Sequence, residues 1–444
     1  MKRKLLAIGA ALAAAVATVL LVVTPASAAV GLHISGTDVV EANGQKLIMR
    51  GINHPHIWYT GQTRAFADIK ATGANTIRVV LGTGKRWGPS NDVPAVIQLC
   101  KQNKLICVLE VHDTTGYGEE SAAASLDEAA NYWISQKANL VGQESYVVIN
   151  IGNEPIGNTN PAQWTAATAA AVTKIRANGF QHLLMVDAPN WGQDWQYVMR
   201  DTAQTVLDAD TQHNTVLSIH MYAVFNTSAS IINYLDAIKA KGWPLVIGEF
   251  GWQFASGEVD DATILAQAQA RGLGYIGWSW SGNTDPILDM VLSFDPAQIT
   301  TWGQRIINGT NGIRATSREA SIYGGVQPTT PGTSPSPTPT TPAPSRGCTA
   351  TYATSGQWQG GFQGDVKVTA GTSAISSWAV TLTFPNGQTV SQAWNATITG
   401  TGSTLTARNV SYNGTLGAGA STNFGFLGSW TGTNGAPTLA CTAA

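Results

Sequence analysis

Apolar positions along this chain fall into three regimes. Residues 5–23 are a near-continuous hydrocarbon run behind Lys2, Arg3 and Lys4. From about residue 30 to 325, short apolar runs rich in Val, Ile and Leu alternate with longer stretches whose apolar residues recur at helical spacing. After residue 347 only brief period-two runs remain, separated by Gly, Asn and Ser. Eight runs in the middle regime (47–52, 76–81, 105–111, 146–151, 182–186, 216–220, 245–248 and 275–280) read as strands buried on both faces. Between them 93–102, 161–177, 231–241 and 262–271 read as helices, and 33–46 as a hairpin turning at Asn43-Gly44 over the barrel bottom. Eight such βα units in this length predict an α/β fold of the (β/α)8 TIM-barrel type. A doubly wound open sheet would alternate in the same way, but no Gly-rich phosphate fingerprint follows the first run.

The polar residues that end these strands carry the chemistry, because a TIM barrel builds its site from C-terminal strand ends. The fourth run stops at Asn153-Glu154-Pro155 and the seventh at Gly248-Glu249. Two carboxylates on parallel strand tips are what glycosidic-bond hydrolysis needs, one as acid/base and one as nucleophile. A lone Glu after a strand serves equally well as a helix cap or an Arg partner, so the pair carries the reading. Arg78, His112, His220, Tyr222, Trp278 and Trp280 converge from other strand ends, and period two puts Trp278 and Trp280 on one face. Arg78 and Tyr222 would hold Glu249 ionised as the nucleophile, while the nearby second carboxylate would keep Glu154 protonated for longer. Glu154 would then be the acid/base, Asn153 the partner of the sugar 2-OH, and Trp280 the stacking platform. His112 and His220 would orient neighbours or bind hydroxyls. Trp58, Trp87, Trp191 and Trp195 follow strand ends and suit either outer sugar subsites or loop packing.

With these residues on the page a resemblance is visible. Asn153-Glu154-Pro155, His220-Met-Tyr222, Gly248-Glu249-Phe-Gly251 and Gly277-Trp-Ser-Trp280 resemble the motifs of glycoside hydrolase family 5. Arg50-Gly-Ile-Asn-His54, Glu110-Val-His-Asp-Thr-Thr115 and Trp278-Ser-Trp-Ser-Gly-Asn283 resemble more narrowly its bacterial, actinobacterial-type endo-β-1,4-mannanases. The resemblance covers about residues 30–323. It implies a retaining mechanism on mannan, glucomannan or galactomannan with no required cofactor, and it is less specific for mannan than for the two glutamates. An endo-β-1,4-glucanase of the same family is the alternative, and a non-catalytic polysaccharide-binding barrel is the alternative of another class.

Composition adjusts the picture. Charged residues make up only 12% of the 444, with 47 Gly and 15 Trp, and the formal charge is -2. That excludes a nucleic-acid binder, which needs a basic patch. Residues 1–28 have the basic start, apolar core and Ala26-Ser27-Ala28 site of a cleaved secretory signal, implying an extracellular protein with no membrane segment left. Export permits disulfides. Cys100 and Cys107 either bridge a helix end to the next strand or are two small buried thiols. Cys348 and Cys441 would staple the last domain, a closure contributing about 4–5 kcal/mol. Glu258, Asp260 and Asp261 are candidate structural Ca²⁺ ligands, or else a helix N-terminus capped by Asp260 or Asp261.

The domains are therefore expected at 1–28 (signal), 29–325 (catalytic barrel), 326–346 (Pro/Thr/Ser linker) and 347–444. Proline-rich sequence favours extended polyproline II at ~3.1 Å per residue. In the last segment only Asp365, Lys367 and Arg408 are charged, and its strands (365–369, 379–384, 396–398, 403–407, 423–426) imply an all-β sandwich. Trp358, Trp394 and Tyr412 lie in polar, turn-like surroundings, whereas Trp378 reads as core. The end-to-end cysteines with Gln357-Trp358, Gln392-Ala-Trp394, Tyr412-Asn-Gly414 and Phe424-Gly-Phe426 resemble a family 2 carbohydrate-binding module. Such modules lay a row of three aromatics on crystalline polysaccharide, here with Tyr412 where the third Trp is usual. The implied partners are mannan-type polysaccharide in the cleft and cellulose at the module, with the protein a monomer.

Overall fold

The computed structural model describes residues 31–254, 257–325, 347–358, 360–410, 413–430, 432 and 434–443. The expected signal segment 1–28, the expected linker 326–346 and Tyr412 lie outside the described residues. The chain forms two compact units.

In the first unit a hairpin, β1 (His33–Ser35) and β2 (Asp38–Val40), precedes the barrel strands β3 (Arg50–His54), β4 (Thr76–Leu81), β5 (Ile106–Val111), β6 (Val147–Asn150), β7 (Leu184–Asp187), β8 (Thr215–Met221) and β9 (Leu245–Phe250). A two-residue ribbon, β10 (Gln253–Phe254) and β11 (Gly257–Glu258), follows, and β12 (Gly274–Gly277) closes the ring between β9 and β3. Every neighbouring barrel pair is parallel, which the intervening helices make possible. These are α1 (Ala65–Ala71), α2 (Val93–Gln102), α3 (Leu126–Ser135), α4 (Lys137–Leu140), α5 (Gln163–Ala177), α6 (Val198–Ala209), α7 (Ser228–Ala240) and α8 (Asp261–Arg271). The predicted closed barrel is thus the observed one. The hairpin differs in detail: it turns at Gly36 (φ 62°), and Asn43-Gly44 makes a second reversal, closed by Gly44 N–H donating to Glu41 O. The last strand ends at Gly277 rather than 280.

Strand periodicity divides the side chains between two cores. Ile77, Val79, Leu109, Ile149, Leu184, Leu217 and Ile247 pack outward on the helices. The alternate set, including Val108, Val148, Met185, Val216, Val246 and Ile276, fills the barrel floor together with Leu32 and Val39 of the hairpin region. Two residues further along several of these strands the inward position turns polar: Val108 is followed by Glu110, Val148 by Asn150 and Met185 by Asp187, all buried. The barrel interior is therefore apolar at one end and polar at the other.

Two local devices bear on the sequence expectations. Cys100 and Cys107 are disulfide-bonded, tying the end of α2 to β5 with Cα atoms 5.8 Å apart. Asp260 caps α8 by accepting from Thr263 N–H (3.0 Å), and Asp261 is buried against Arg305, whose Nε donates to Oδ2 at 2.9 Å. Glu258 is exposed. With one carboxylate committed to the cap and another to a guanidinium, these three do not converge on a cation, and the candidate Ca²⁺ reading gives way to the capping one.

The second unit packs two four-stranded antiparallel sheets. One orders β13 (Cys348–Trp358), β14 (Gly361–Ala370), β19 (Ser421–Ser429) and β16 (Thr389–Trp394). The other orders β17 (Ala396–Thr401), β18 (Thr404–Asn409), β15 (Trp378–Thr383) and β20 (Thr438–Ala443). The Cys348–Cys441 disulfide crosses from β13 to β20 and staples the sheets together. Trp378 is core as expected, its ring stacked on Phe424 at 5.4 Å and its indole N–H donating to Asn413 O. Trp358 and Trp394 end strands on the two outer edges of one sheet rather than lying in turns, and Trp394 is half-buried.

Candidate active site

Arg78 organises the polar end of the barrel. It is fully buried on the second barrel strand and donates five hydrogen bonds: Nε to Asn150 Oδ1 (2.8 Å), Nη1 to Asn53 Oδ1 (2.9 Å) and Glu249 Oε1 (2.6 Å), and Nη2 to Asn153 Oδ1 (2.8 Å) and Asp187 Oδ2 (3.2 Å). Glu110 lies 3.8 Å away. A planar guanidinium is the side chain whose fixed fork can hold so many acceptors at once. Burial disfavours its charge, but Glu110, Glu249 and Asp187 more than restore it, so Arg78 stays cationic.

Glu249 comes into this cluster through an irregularity in the barrel. Ile219 pairs with Ile247, but His220 pairs with Glu249, so one residue of β9 is bulged out of register. Strict alternation from Val246 would turn Phe250 inward. The bulge turns Glu249 inward instead and sends Phe250 to the outer core, a recognised use of bulges beside active sites. A side chain at Gly248 would collide with Ser218 Oγ, so only glycine fits that approach. Glu249 Oε2 then accepts from the Tyr222 hydroxyl at 2.9 Å. Burial and Glu249 together raise the Tyr222 pKa well above its ordinary value, which keeps that hydroxyl a donor.

Glu154 faces Glu249 from the tip of β6, in the left-handed region (φ 39°) that is costly for a non-glycine residue. His220 spans the site: Nδ1 lies 2.9 Å from Glu154 Oε1, and Nε2 lies 3.2 Å from Asp187 Oδ2. Burial works against a charged ring, but Glu249 and Asp187 push the His220 pKa up to about 10. Burial likewise would raise Asp187, but His220 and Arg78 hold it well below the usual carboxylate range. For Glu154 the largest influence is burial, which raises its pKa. His220 opposes the rise and Glu249 adds to it. Desolvation, rather than the second carboxylate, is thus the main cause of the rise. Oxygen atoms of Glu154 and Glu249 and a ring nitrogen of His220 lie within 4.8 Å of one another.

The cleft above this cluster has a volume of about 400 Å³. Its lining includes His112, Asn153, Glu154, Tyr222, Glu249 and Trp278, with Trp191 and Trp195 at its rim. His112 stacks on Trp278 (5.5 Å between centroids) and its Nδ1 lies 2.9 Å from Glu110 Oε1. Burial lowers the His112 pKa, yet Glu110 raises it further, for a net rise. Trp58 and Trp87 group around the same imidazole at 5.2 and 5.8 Å. Asn153 gives its amide N–H to Thr115 Oγ1 (2.8 Å).

Trp280, expected to stack on the sugar, is placed elsewhere by the fold. It is 1% exposed and packed in the outer hydrophobic core. Strand alternation ends with Gly277, so the two tryptophans do not share a face, and only Trp278 reaches the cleft. Conversely, the sequence reading passed over Asn53, Glu110, Asn150 and Asp187 as site residues. The signal was available, because Glu110, Asn150 and Asp187 each stand two positions after an inward apolar residue at a strand end.

Comparison with known proteins places this geometry. Residues 40–284 match the family model described as Cellulase (glycosyl hydrolase family 5), and residues 348–443 match the one described as Cellulose binding domain. The chain is 54% identical to the mannan endo-1,4-beta-mannosidase of Streptomyces lividans over 70% of its own length and 82% of that protein. It is 48% identical to the mannan endo-1,4-beta-mannosidase of Cellvibrio japonicus, over 69% and 72%. The crystal structure of the beta-mannanase from Streptomyces thermolilacinus with mannohexaose is similar with a TM-score of 0.66 and 58% identity, covering 67% of this chain and 99% of that one.

Proposed function

This chain belongs to glycosyl hydrolase family 5, and from that premise we propose that it is a retaining endo-β-1,4-mannanase. Membership in a hydrolase family removes the reading of the barrel as a non-catalytic binding protein. The observation that carries the mechanism is the approach of the Glu154 and Glu249 oxygens to within 4.8 Å. Retaining glycosidases hold their carboxyls about 5–5.5 Å apart, whereas inverting ones leave roughly 6.5–9.5 Å for a water.

Glu249, fixed by Arg78 and Tyr222, attacks the anomeric carbon and forms a covalent glycosyl ester. Glu154, its pKa raised by burial, gives its proton to the departing oxygen. The same carboxylate then takes a proton from water as that water breaks the ester. His220⁺ and Asp187 hold Glu154 in place during both steps. Asn153, already fixed by Arg78 and Thr115, has an amide hydrogen left for the 2-OH, and Trp278 stacked on His112 offers the sugar a flat apolar face. All these groups belong to the chain, so neither step needs a cofactor.

Mannan as the substrate rests on the relatives, whose printed names are mannan endo-1,4-beta-mannosidase and beta-mannanase. The family model's description, Cellulase, favours β-1,4-glucan as the second reading. Reducing-sugar release from galactomannan set against carboxymethylcellulose separates them. Cleavage of galactomannan alone supports the proposal, and cleavage of the cellulose derivative alone moves the substrate to glucan. Proton NMR of the first-formed anomer tests retention.

The C-terminal unit matches a cellulose-binding family, so the chain binds polysaccharide. We propose that Trp358, Trp394 and Tyr412 hold it on cellulose, raising the local concentration of enzyme where mannan coats that surface. Removing residues 327–444 should abolish retention on cellulose while sparing the rate on soluble substrate. Retention by the barrel alone would refute that division. Among the described residues no helix is long and apolar enough to cross a membrane. We propose export through cleavage after Ala28, and action as a monomer in the extracellular medium.

A further inference from the structure

The loop between β7 and α6 is strained well beyond an ordinary connection. Asn190 (φ 56°), Trp191 (φ 56°), Asp194 (φ 46°) and Tyr197 (φ 63°) are all left-handed non-glycine residues. Such conformations persist only where the surroundings over-determine them, and they gather at ligand clamps. Buried Asp194 fixes the far end of the loop: it accepts from the backbone N–H groups of Met199 (2.9 Å) and Arg200 (2.8 Å) and from the Tyr234 hydroxyl (2.8 Å). What the loop presents at the rim of the cleft is two indoles, Trp191 and Trp195.

Both indoles are tied to one exposed carboxylate. Glu119 Oε2 accepts the Trp191 indole N–H at 2.8 Å, while its Oε1 accepts from Asn158 N–H (2.6 Å) and Thr159 Oγ1 (3.1 Å). Asn158 Oδ1 in turn accepts the Trp195 indole N–H at 2.8 Å. The Trp191 ring lies against Gly116, where any side chain would strike it. Gly116 N–H donates to the carbonyl of Glu154 itself (3.0 Å), and Trp191 N–H donates to Ile156 O (3.1 Å). The platform is therefore built onto the segment that carries the acid/base, and that residue faces the leaving-group oxygen.

We propose that Glu119 is a specificity-determining positioning residue, which through Trp191 and Asn158 holds a two-tryptophan platform for the leaving-group sugars of a β-1,4-linked chain. This rests on the retaining endo-mannanase reading. Glu119 touches no reacting atom. Its contribution is to fix the indole N–H groups at the edge, so that the ring faces stay available to pyranose faces without a loss of side-chain freedom on binding. A platform that binds these sugars equally in ground and transition states supplies uniform binding, whose loss appears in KM.

The test uses the full chain and two substrates: mannohexaose, which fills the leaving-group side, and β-mannobiosyl fluoride, whose leaving group is a single atom. Glu119→Ala should raise KM for mannohexaose by roughly fivefold to tenfold, the upper part of the range for an ordinary hydrogen bond, as suits an exposed carboxylate. Its kcat and its kinetics on the fluoride should be unchanged. Glu119→Gln keeps one accepting oxygen and should fall between. Trp191→Phe, which removes the N–H and keeps an aromatic face, should resemble Glu119→Ala, and the double variant should be little worse than either single one. An unchanged KM in Glu119→Ala, or an equal loss on both substrates, overturns the proposal. If the parent enzyme cleaves cellohexaose and not mannohexaose, the substrate reading fails instead, and the same KM split is required on cellohexaose.

Discussion

Arg78→Lys tests whether the guanidinium fork, rather than positive charge alone, builds the site. The parent side chain is fully buried and satisfies five acceptors, three amide oxygens and two carboxylates, with Glu110 a further carboxylate at 3.8 Å. A lysine ammonium keeps the charge but offers at most three donors from a single point. At least two buried acceptors are then left without a partner, at about 1–3 kcal/mol each. The barrel should lose about 2–6 kcal/mol, a large share of the roughly 5–15 kcal/mol that holds a domain folded. Glu249 also loses its bond at Oε1 and is held by Tyr222 alone. A nucleophile displaced by about 1 Å costs about 10²-fold in rate. Because Arg78 has no surface in the cleft, that loss belongs in kcat and not in KM.

The assay is kcat and KM on soluble galactomannan beside the midpoint of the barrel's thermal transition, with Arg78→Met as the companion. Methionine removes the charge and leaves Glu249, Asp187 and Glu110 facing each other in a dry site, so it should be worse than lysine on both readouts. A lysine variant with kcat within about threefold of the parent, far short of the 10²-fold expected of a displaced nucleophile, would refute the reasoning. So would a methionine variant no worse than the lysine one.

Glu154→Ala should lose far more activity on polysaccharide than on aryl mannosides whose leaving groups need no proton, and equal losses would remove the acid role. Asp187→Asn should move the alkaline limb of kcat/KM to higher pH. The sign follows from the cluster: without Asp187 the His220 pKa falls from about 10, the imidazolium is lost earlier, and the Glu154 proton is held longer. A limb that moves down in pH, or stays, contradicts that coupling. Trp278→Ala should raise KM with the melting transition nearly intact. Trp280→Ala should instead destabilise the barrel by about 3–5 kcal/mol, as loss of a buried aromatic does, with KM on the folded fraction unchanged; a KM effect at Trp280 would put it back in the cleft.

The barrel was legible because its evidence is repeated eight times: each strand lies in a short, largely apolar run of the kind the fold needs buried on both faces. The two glutamates were legible because each stands alone as a carboxylate after such a run. Period two failed where the backbone departs from it. Extending the last strand to residue 280 put Trp280 beside Trp278, whereas the strand stops at Gly277 and the tryptophans part. The same rule would have turned Phe250 inward, and only the bulge at β9 corrects it. Register shifts depend on packing between neighbouring strands, here the contact of Gly248 with Ser218, and one strand's sequence does not contain that information. The hairpin turn went to Gly36 instead of Asn43-Gly44 for a related reason, since pairing of His33 with Val40 allows Leu32 and Val39 to cover the barrel floor.

Asp187 and Glu110 show a different kind of illegibility. Their positions follow from alternation, but the effect of a buried carboxylate depends on what lies across the barrel. Removed from water without partners, each would be protonated or would unfold the site. Placed around Arg78 and two histidines, they favour the cationic form of all three: Asp187 and Glu249 push the His220 pKa up to about 10, and Glu110 raises that of His112. The cluster is expensive to bury and adds little to stability that a well-packed apolar interior would not also give. Its return is preorganisation. Donors and acceptors already held in place around Glu154 and Glu249 would not have to be reoriented by a reaction there. The apolar floor packed beneath by Leu32, Met49, Val108 and Val216 supplies the stability that lets the other end of the same barrel keep a polar interior.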